Sequence, residues 1–213
     1  MKKTILSLAI IAMMASCQSG PEGETAKTAE KQEASTSDGA VYTVDKATSN
    51  VMFVGSKPVG THNGVFSIAD GSVTVKEGNI TAGSFTIDVN SMKITDEGMD
   101  AETNGKLSGH LLSPDFFDSK KYSTAKFEIT NCTALTNDSN ATHTFSGNLT
   151  LKDSTKNVTF PAKVTMNDAT ITAVADFNID RTQWGLFYGN DKSLGDKFIY
   201  PEVKIKLNIN AKK

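Results

Sequence analysis

From Val41 onward the chain keeps a period of two, and that alternation constrains the fold more than any other feature. In "GSFTIDVNSMKI", Phe85, Ile87 and Val89 share one face, because successive side chains of a strand point to opposite sides. In "EVKIKLNIN", Val203, Ile205, Leu207 and Ile209 alternate with Glu202, Lys204, Lys206 and Asn208. A similar beat runs through "VYTVD", "NVMFVG", "GVFSI", "GSVTVKEG", "AKFEITNCTAL", "HTFSGNLTLK", "KNVTFPAKVTM" and "TITAVADFNID". Turn signals such as "ADG", "KEGN", "TNDSN", "KDSTK" and "MNDA" separate these segments at hairpin spacing. The pattern predicts an all-β domain of about eight to ten antiparallel strands. Closure into a barrel removes the exposed sheet edges, and a β-sandwich is the alternative architecture.

One stretch breaks the beat. "HLLSPDFFDSKKYSTAKFEI", His110 to Ile129, places two phenylalanines, a proline and a histidine between strands. The preceding "DEGMDAETNGKLSGHLL", Asp96 to Leu112, has acidic residues early and leucines on one side, and predicts a short helix weakened by three glycines. A helix followed by "SPDFFD" supplies apolar side chains outside the sheet ladder. This segment is read either as the cap of a cavity or as a hydrophobic plug.

The N-terminus carries different information. Lys2 and Lys3 precede the apolar run "ILSLAIIAMMAS", which is too short to span a bilayer. The run ends in "MASC", which resembles the bacterial lipoprotein signal. By that resemblance residues 1–16 are removed and Cys17 becomes the acylated N-terminal residue, anchored to a membrane through its lipid. Residues 17–40 then form a linker with no aromatic or large aliphatic side chain, which is expected to be disordered. At roughly 25–30 Å average reach, that linker would let the domain, residues 41–213, stand off the lipid surface. With Cys17 acylated, Cys132 has no disulfide partner and is read as a small buried residue.

Composition excludes some chemistry. A net charge of −2 leaves no basic footprint for nucleic acid. His62, His110 and His143 lack metal-ligand spacing, so only a metal site assembled in space would remain. No nucleophile elbow, phosphate loop or dinucleotide fingerprint is present. His110 with Asp115 is the one acid–base pairing that a catalytic reading could use. Arg181 is the single arginine and Trp184 the single tryptophan, together in "NIDRTQWGLF". A lone guanidinium among lysines points to a planar, multi-donor contact. That contact is either structural, with Asp180 or a strand-end carbonyl, or made to the polar head of a ligand. The 11 phenylalanines suit either a filled core or the lining of a cavity.

"HLLSPDFFD", "KYSTAKFEI", "GNLTLKDSTKNVTFPA" and "FNIDRTQWGL", in that order, resemble the YceI-like family over roughly Val41 to Asn210. Ser123, Asp153, Ser154 and Trp184 depart from its usual residues, and "GTHNGVF" with His62 matches only in part. The resemblance implies an extended antiparallel lipocalin-like β-barrel of about eight strands with a short helix capping one end. It also implies a tunnel for a polyisoprenoid or isoprenoid quinone, with no cofactor, metal or catalytic residue. Alternation assigns Phe85, Ile87, Phe127, Ile129, Phe160, Phe177 and Ile179 to that cavity, with Trp184 beside them. His110, Leu111, Phe116 and Phe117 are assigned to the cap or portal, and Arg181 to a polar head. The expected protein is a lipid-anchored carrier or reservoir in the cell envelope, at the periplasmic face of the outer membrane. Monomer and homodimer both stay open, and the alternative function is an envelope stress or interaction lipoprotein whose barrel is only a core.

Overall fold

The computed structural model describes residues 20–136 and 138–213. Cys17 lies outside the described residues. Ten strands follow in order: β1 (Lys27–Glu30), β2 (Ala40–Val44), β3 (Asn50–Lys57), β4 (Gly60–Lys76), β5 (Asn79–Ile94), β6 (Thr124–Ala134), β7 (His143–Leu151), β8 (Ser154–Met166), β9 (Thr170–Asp180) and β10 (Glu202–Lys212). Helix α1 (Ala101–Leu112) joins β5 to β6, and two 3-10 turns, Arg181–Trp184 and Lys192–Lys197, lie between β9 and β10.

From β4 to β10 each strand pairs antiparallel with the next, and β10 returns to pair with β2 and β3. Both of these also pair with β4: β3 along Gly60–Ser67 and β2 along Ser72–Val75. They therefore share one place in the wall, and the sheet closes as an eight-position antiparallel barrel. The sandwich alternative is thereby excluded.

Bulges decide which residues face inward. The expected turn at "ADG" is instead part of β4: Ile68 pairs with Ile87 and Asp70 with Thr86, leaving Ala69 as the extra residue. One inserted residue flips the side-chain parity. Phe66 and Ile68 are therefore buried before the bulge, and Val73 and Val75 after it. A similar shift in β6 separates Ile129, nearly fully buried, from Cys132, which packs half-buried against the core. Burial pushes the Cys132 thiol up to about 11, so it stays protonated and poorly nucleophilic at neutral pH.

The helix begins later than its acidic start suggests. Asp100 caps it by accepting the Thr103 amide at 2.8 Å. Asp96 is engaged elsewhere, by His62 and by the Asn63 amide.

The linker expectation needs correcting, because the part of it that is described is ordered on the barrel. β8 and β9 pair only at Lys163–Met166 with Ile171–Val174. If that register continued, Phe160 would oppose Phe177 and Thr159 would oppose Asn178. Instead β1 pairs with β8 at Lys156–Thr159, and Thr25 bridges Asn178 on β9. The N-terminal segment thus occupies the seam where the two strands have separated. Two outward-facing asparagines, Asn148 and Asn178, hold it, and a third, Asn157, positions Asn148. Asn148 pairs with both backbone groups of Gln32, at 2.7 and 3.0 Å. Asn178 Nδ2 donates to the Pro21 carbonyl at 2.9 Å, and Asn157 Nδ2 donates to Asn148 Oδ1 at 3.2 Å. All three asparagines are buried. The composition argument considered only apolar burial, whereas this segment is held by backbone and amide hydrogen bonds across an open strand edge.

Asn148→Ala removes both bonds to Gln32 and leaves Asn157 short of a partner. We expect a stability loss of about 1–3 kcal/mol in denaturant melts. Amide exchange should accelerate first at residues 24–35, before the barrel strands.

Candidate lipid cavity

The barrel encloses a cavity of about 480 Å³, within the roughly 300–1,000 Å³ range of small-molecule sites. Every barrel strand except β2 contributes to its wall. Along β9 the lining runs from Ile171 to Ile179, nine residues whose eight steps cover about 26 Å of strand. The cavity is elongated and follows the strands. Its deep end, near Ile80, Ala162 and Ile209, is apolar, and its polar lining collects at the other end around Lys57, His62, His110, Asp196 and Lys197.

Nine of the 11 phenylalanines line this space, Phe187 and Phe198 being the exceptions. Phe85, Phe127, Phe160 and Phe177 form a run of rings with centroids 6.2, 5.8 and 4.1 Å apart. The closest pair, Phe160 and Phe177, is stacked across the seam where β8 and β9 stop pairing. Gly147 leaves room for the Phe127 ring, which a Cβ at that position would strike. Phenylalanine is therefore used here as wall. A polar ligand would find no partners along it.

Seven of the eight cavity candidates line the space: Phe85, Ile87, Phe127, Ile129, Phe160, Phe177 and Ile179. Trp184 does not. It is 1% exposed, and its Nε1 donates to the Leu149 carbonyl at 2.8 Å. The 3-10 turn that carries it packs on β8, so the indole ties the end of β9 to β7 where strand pairing is missing. Proximity in sequence to Arg181 made Trp184 look like lining, but the turn rotates it behind the wall.

The cap residues His110, Leu111, Phe116 and Phe117 all reach the cavity. After α1 the chain folds back sharply, with the Phe117 amide bonded to the Leu111 carbonyl and the Asp118 amide to the Ser113 carbonyl. Phe116 is buried and Phe117 half-buried against Phe66, their ring centroids 5.5 Å apart. His110, Phe116 and Tyr188 pack ring to ring, with His110–Tyr188 centroids at 4.6 Å. His110 Nε2 lies 3.1 Å from Asp115 at a substantially exposed position. Tyr188 and the four lining residues of β10 were not among the candidates. The β10 set was legible in its strict alternation, whereas Tyr188 sits in an irregular loop with no periodic signal.

Arg181 is buried and lines the mouth. Its Nε donates to the Tyr200 carbonyl at 3.2 Å, Nη2 to the Ile199 carbonyl at 2.9 Å, and Nη1 to the Leu186 carbonyl. Three of its five N–H groups therefore fold the β9–β10 connection around one guanidinium. Burial pushes its pKa down and Asp180 opposes that shift. The Asp180 carboxylate itself accepts from Thr182. The strand-end carbonyl reading of Arg181 is the one the geometry supports.

Across the mouth, His62 Nδ1 is 2.7 Å from Asp96. Burial would raise the Asp96 carboxyl, but hydrogen bonds from His62 and the Asn63 amide outweigh it and hold it below its usual value. Among the described residues no three His, Cys, Asp or Glu side chains converge as a metal-ligand set.

The comparisons agree with this geometry. The YceI-like domain model matches residues 42–211. BcnA of Burkholderia cenocepacia shares 26% identity and superposes with a TM-score of 0.62, over 79% of this chain and 99% of its own. A polyisoprenoid-binding domain from Saccharophagus degradans, 16% identical, reaches 0.59 over 80% and 97% of the two chains. The Campylobacter jejuni YceI protein, 17% identical, reaches 0.53 over 70% and 84%. No protein with a curated description matches significantly. With a family model covering most of its length and a matching closed barrel, the chain belongs to the YceI-like family.

Proposed function

We propose that this protein is a membrane-anchored, non-catalytic binding protein that holds one long apolar lipid in its barrel as carrier or reservoir. A polyisoprenoid or isoprenoid quinone is the ligand class, with no cofactor. The observation that carries the reading is the elongated cavity walled by phenylalanine and aliphatic side chains. Burying ~400 Å² of isoprenoid surface at ~25 cal/mol/Å² gives roughly 10 kcal/mol gross. Ordering a flexible chain removes a large part of that, which leaves micromolar to nanomolar binding without a hydrogen bond. The Saccharophagus degradans protein, described as polyisoprenoid-binding, has the same fold and supports this ligand class. Acylated Cys17 would anchor the protein in the cell envelope, at the periplasmic face of the outer membrane.

Three measurements test this reading. Mass spectrometry of an organic extract of detergent-free protein should reveal a prenyl lipid. An empty extract, together with no uptake of a fluorescent polyprenyl analogue, would overturn the proposal and favour a barrel that is only a core. Phe117→Ala should cost less than ~1.5 kcal/mol and Phe116→Ala, being buried, about 3 kcal/mol. Both should speed release of the analogue, since these rings stand at the mouth. Unchanged release from both variants would make the segment a plug. Arg181→Lys keeps the charge but not the fork. It should lower stability by about 2–3 kcal/mol while leaving affinity for a headless polyprenyl hydrocarbon intact below the melt.

A further inference from the structure

Seven large apolar side chains are exposed among the described residues: Val41, Met52, Val59, Val174, Phe187, Tyr188 and Leu194. Four of them belong to two loops at one end of the barrel. Val59, 68% exposed, is in the turn between β3 and β4. Phe187 (58%), Tyr188 (45%) and Leu194 (45%) lie in the β9–β10 connection. The two loops are joined where the Tyr200 amide donates to the Ser56 carbonyl at 3.0 Å. Both border the cavity mouth, which Ser56, Lys57, Tyr188 and Lys197 line. The other three exposed residues lie on different strands, Val41 near the far end of the barrel. An apolar rim around the opening of an apolar cavity is a specific arrangement, since scattered exposed hydrophobics need no explanation but grouped ones do.

The N-terminal segment fixes what the rim meets. Gly20 rests against Glu202, and Gly20–Glu22 border a shallow pocket with Lys57, Pro58 and Gly60 of the β3–β4 turn. The chain thus enters the barrel at the same end as the rim. Only Gln18 and Ser19 separate Gly20 from Cys17, and three residues span at most about 10 Å. An acyl anchor on Cys17 is therefore held beside the mouth, not at the end of a long tether.

We infer that the rim formed by Val59, Phe187, Tyr188 and Leu194 is a bilayer-docking surface, which sets the barrel mouth-down on the membrane carrying its anchor. This rests on acylation of Cys17. In that pose lipid passes between bilayer and cavity without crossing water, and the anchor and rim act as two linked contacts whose affinities reinforce each other.

The test uses the full mature protein in vesicles of phosphatidylethanolamine and phosphatidylglycerol with brominated acyl chains. Val59→Trp, Phe187→Trp and Leu194→Trp each add an indole at the rim, and Val41→Trp adds one at the far end. The native Trp184 is a buried background common to all. Rim indoles should be quenched about twofold or more over Val41→Trp, given insertion of ~5–10 Å. Three separate rim positions keep the test standing if one variant fails to fold. Intact mass of Cys17 is read on the same sample. An unmodified Cys17 sinks the anchor reading itself. Acylated protein with unquenched rim indoles overturns the docking. Rim indoles shifted to the blue without bromine quenching, in a particle of twice the mass, identify a second copy as the occupant and also overturn it.

Discussion

Barrel closure is the constraint on which the rest of the structure depends. An antiparallel sheet must leave no buried backbone group unpaired; here β5 and β6 pair only over Ser84–Asp88 and Thr124–Glu128, and the β8–β9 seam opens toward the mouth. There the wall is completed by borrowed parts. β1 supplies backbone groups to β8, the stacked Phe160 and Phe177 rings bridge the inner surface, and the Trp184 indole reaches the Leu149 carbonyl. An eight-stranded barrel of ordinary closure is just wide enough for its own side chains or one small ligand. Parting two strands toward the mouth and filling part of the gap from outside widens the bore.

That widening separates a lining from a core. The phenylalanines of β5, β6, β8 and β9 contact one another around the wall and leave space along its axis. Gly147 takes part by having no side chain, since the Phe127 ring lies over it. The cavity is selective by default: its polar groups sit at the mouth, so a chain can be buried deeply only if it is apolar along its length.

The two ends of the barrel are built differently. At the far end the Tyr42 hydroxyl donates to the Asn167 and Asp168 carbonyls of the β8–β9 turn. At the mouth the two long connections, β5–β6 and β9–β10, are held by polar side chains. Arg181 gathers three carbonyls of the β9–β10 connection, Asp96 holds His62 and Asn63, and Tyr122 donates to Asp153 at 2.9 Å. Asp153 thus fixes the segment that follows the cap. Such hydrogen bonds hold loops in shape while leaving their outer side chains free for contact.

Local pattern determined much of this in advance. Strict alternation put Val203, Ile205, Leu207 and Ile209 on one face, and the wall uses that face. Phe85, Ile87, Phe127 and Ile129 could likewise be placed inside from their strands alone, because a period of two needs no knowledge of neighbours. The short helix and the two cap phenylalanines were visible as the one break in the pattern. What tertiary structure decided lay where the outcome depends on a distant partner. The bulge at Ala69 turned an expected hairpin into one long strand, since its extra residue exists only relative to β5. Trp184 left the cavity because a 3-10 turn aimed it at β7. Residues 24–35, too polar to form a core, are ordered on the barrel because β8 and the Asn178 backbone offer unpaired groups at a strand edge and the Asn148 amide engages Gln32. Periodicity reports how a segment treats solvent; only the closed sheet determines which backbone groups still lack a partner and which segment supplies one.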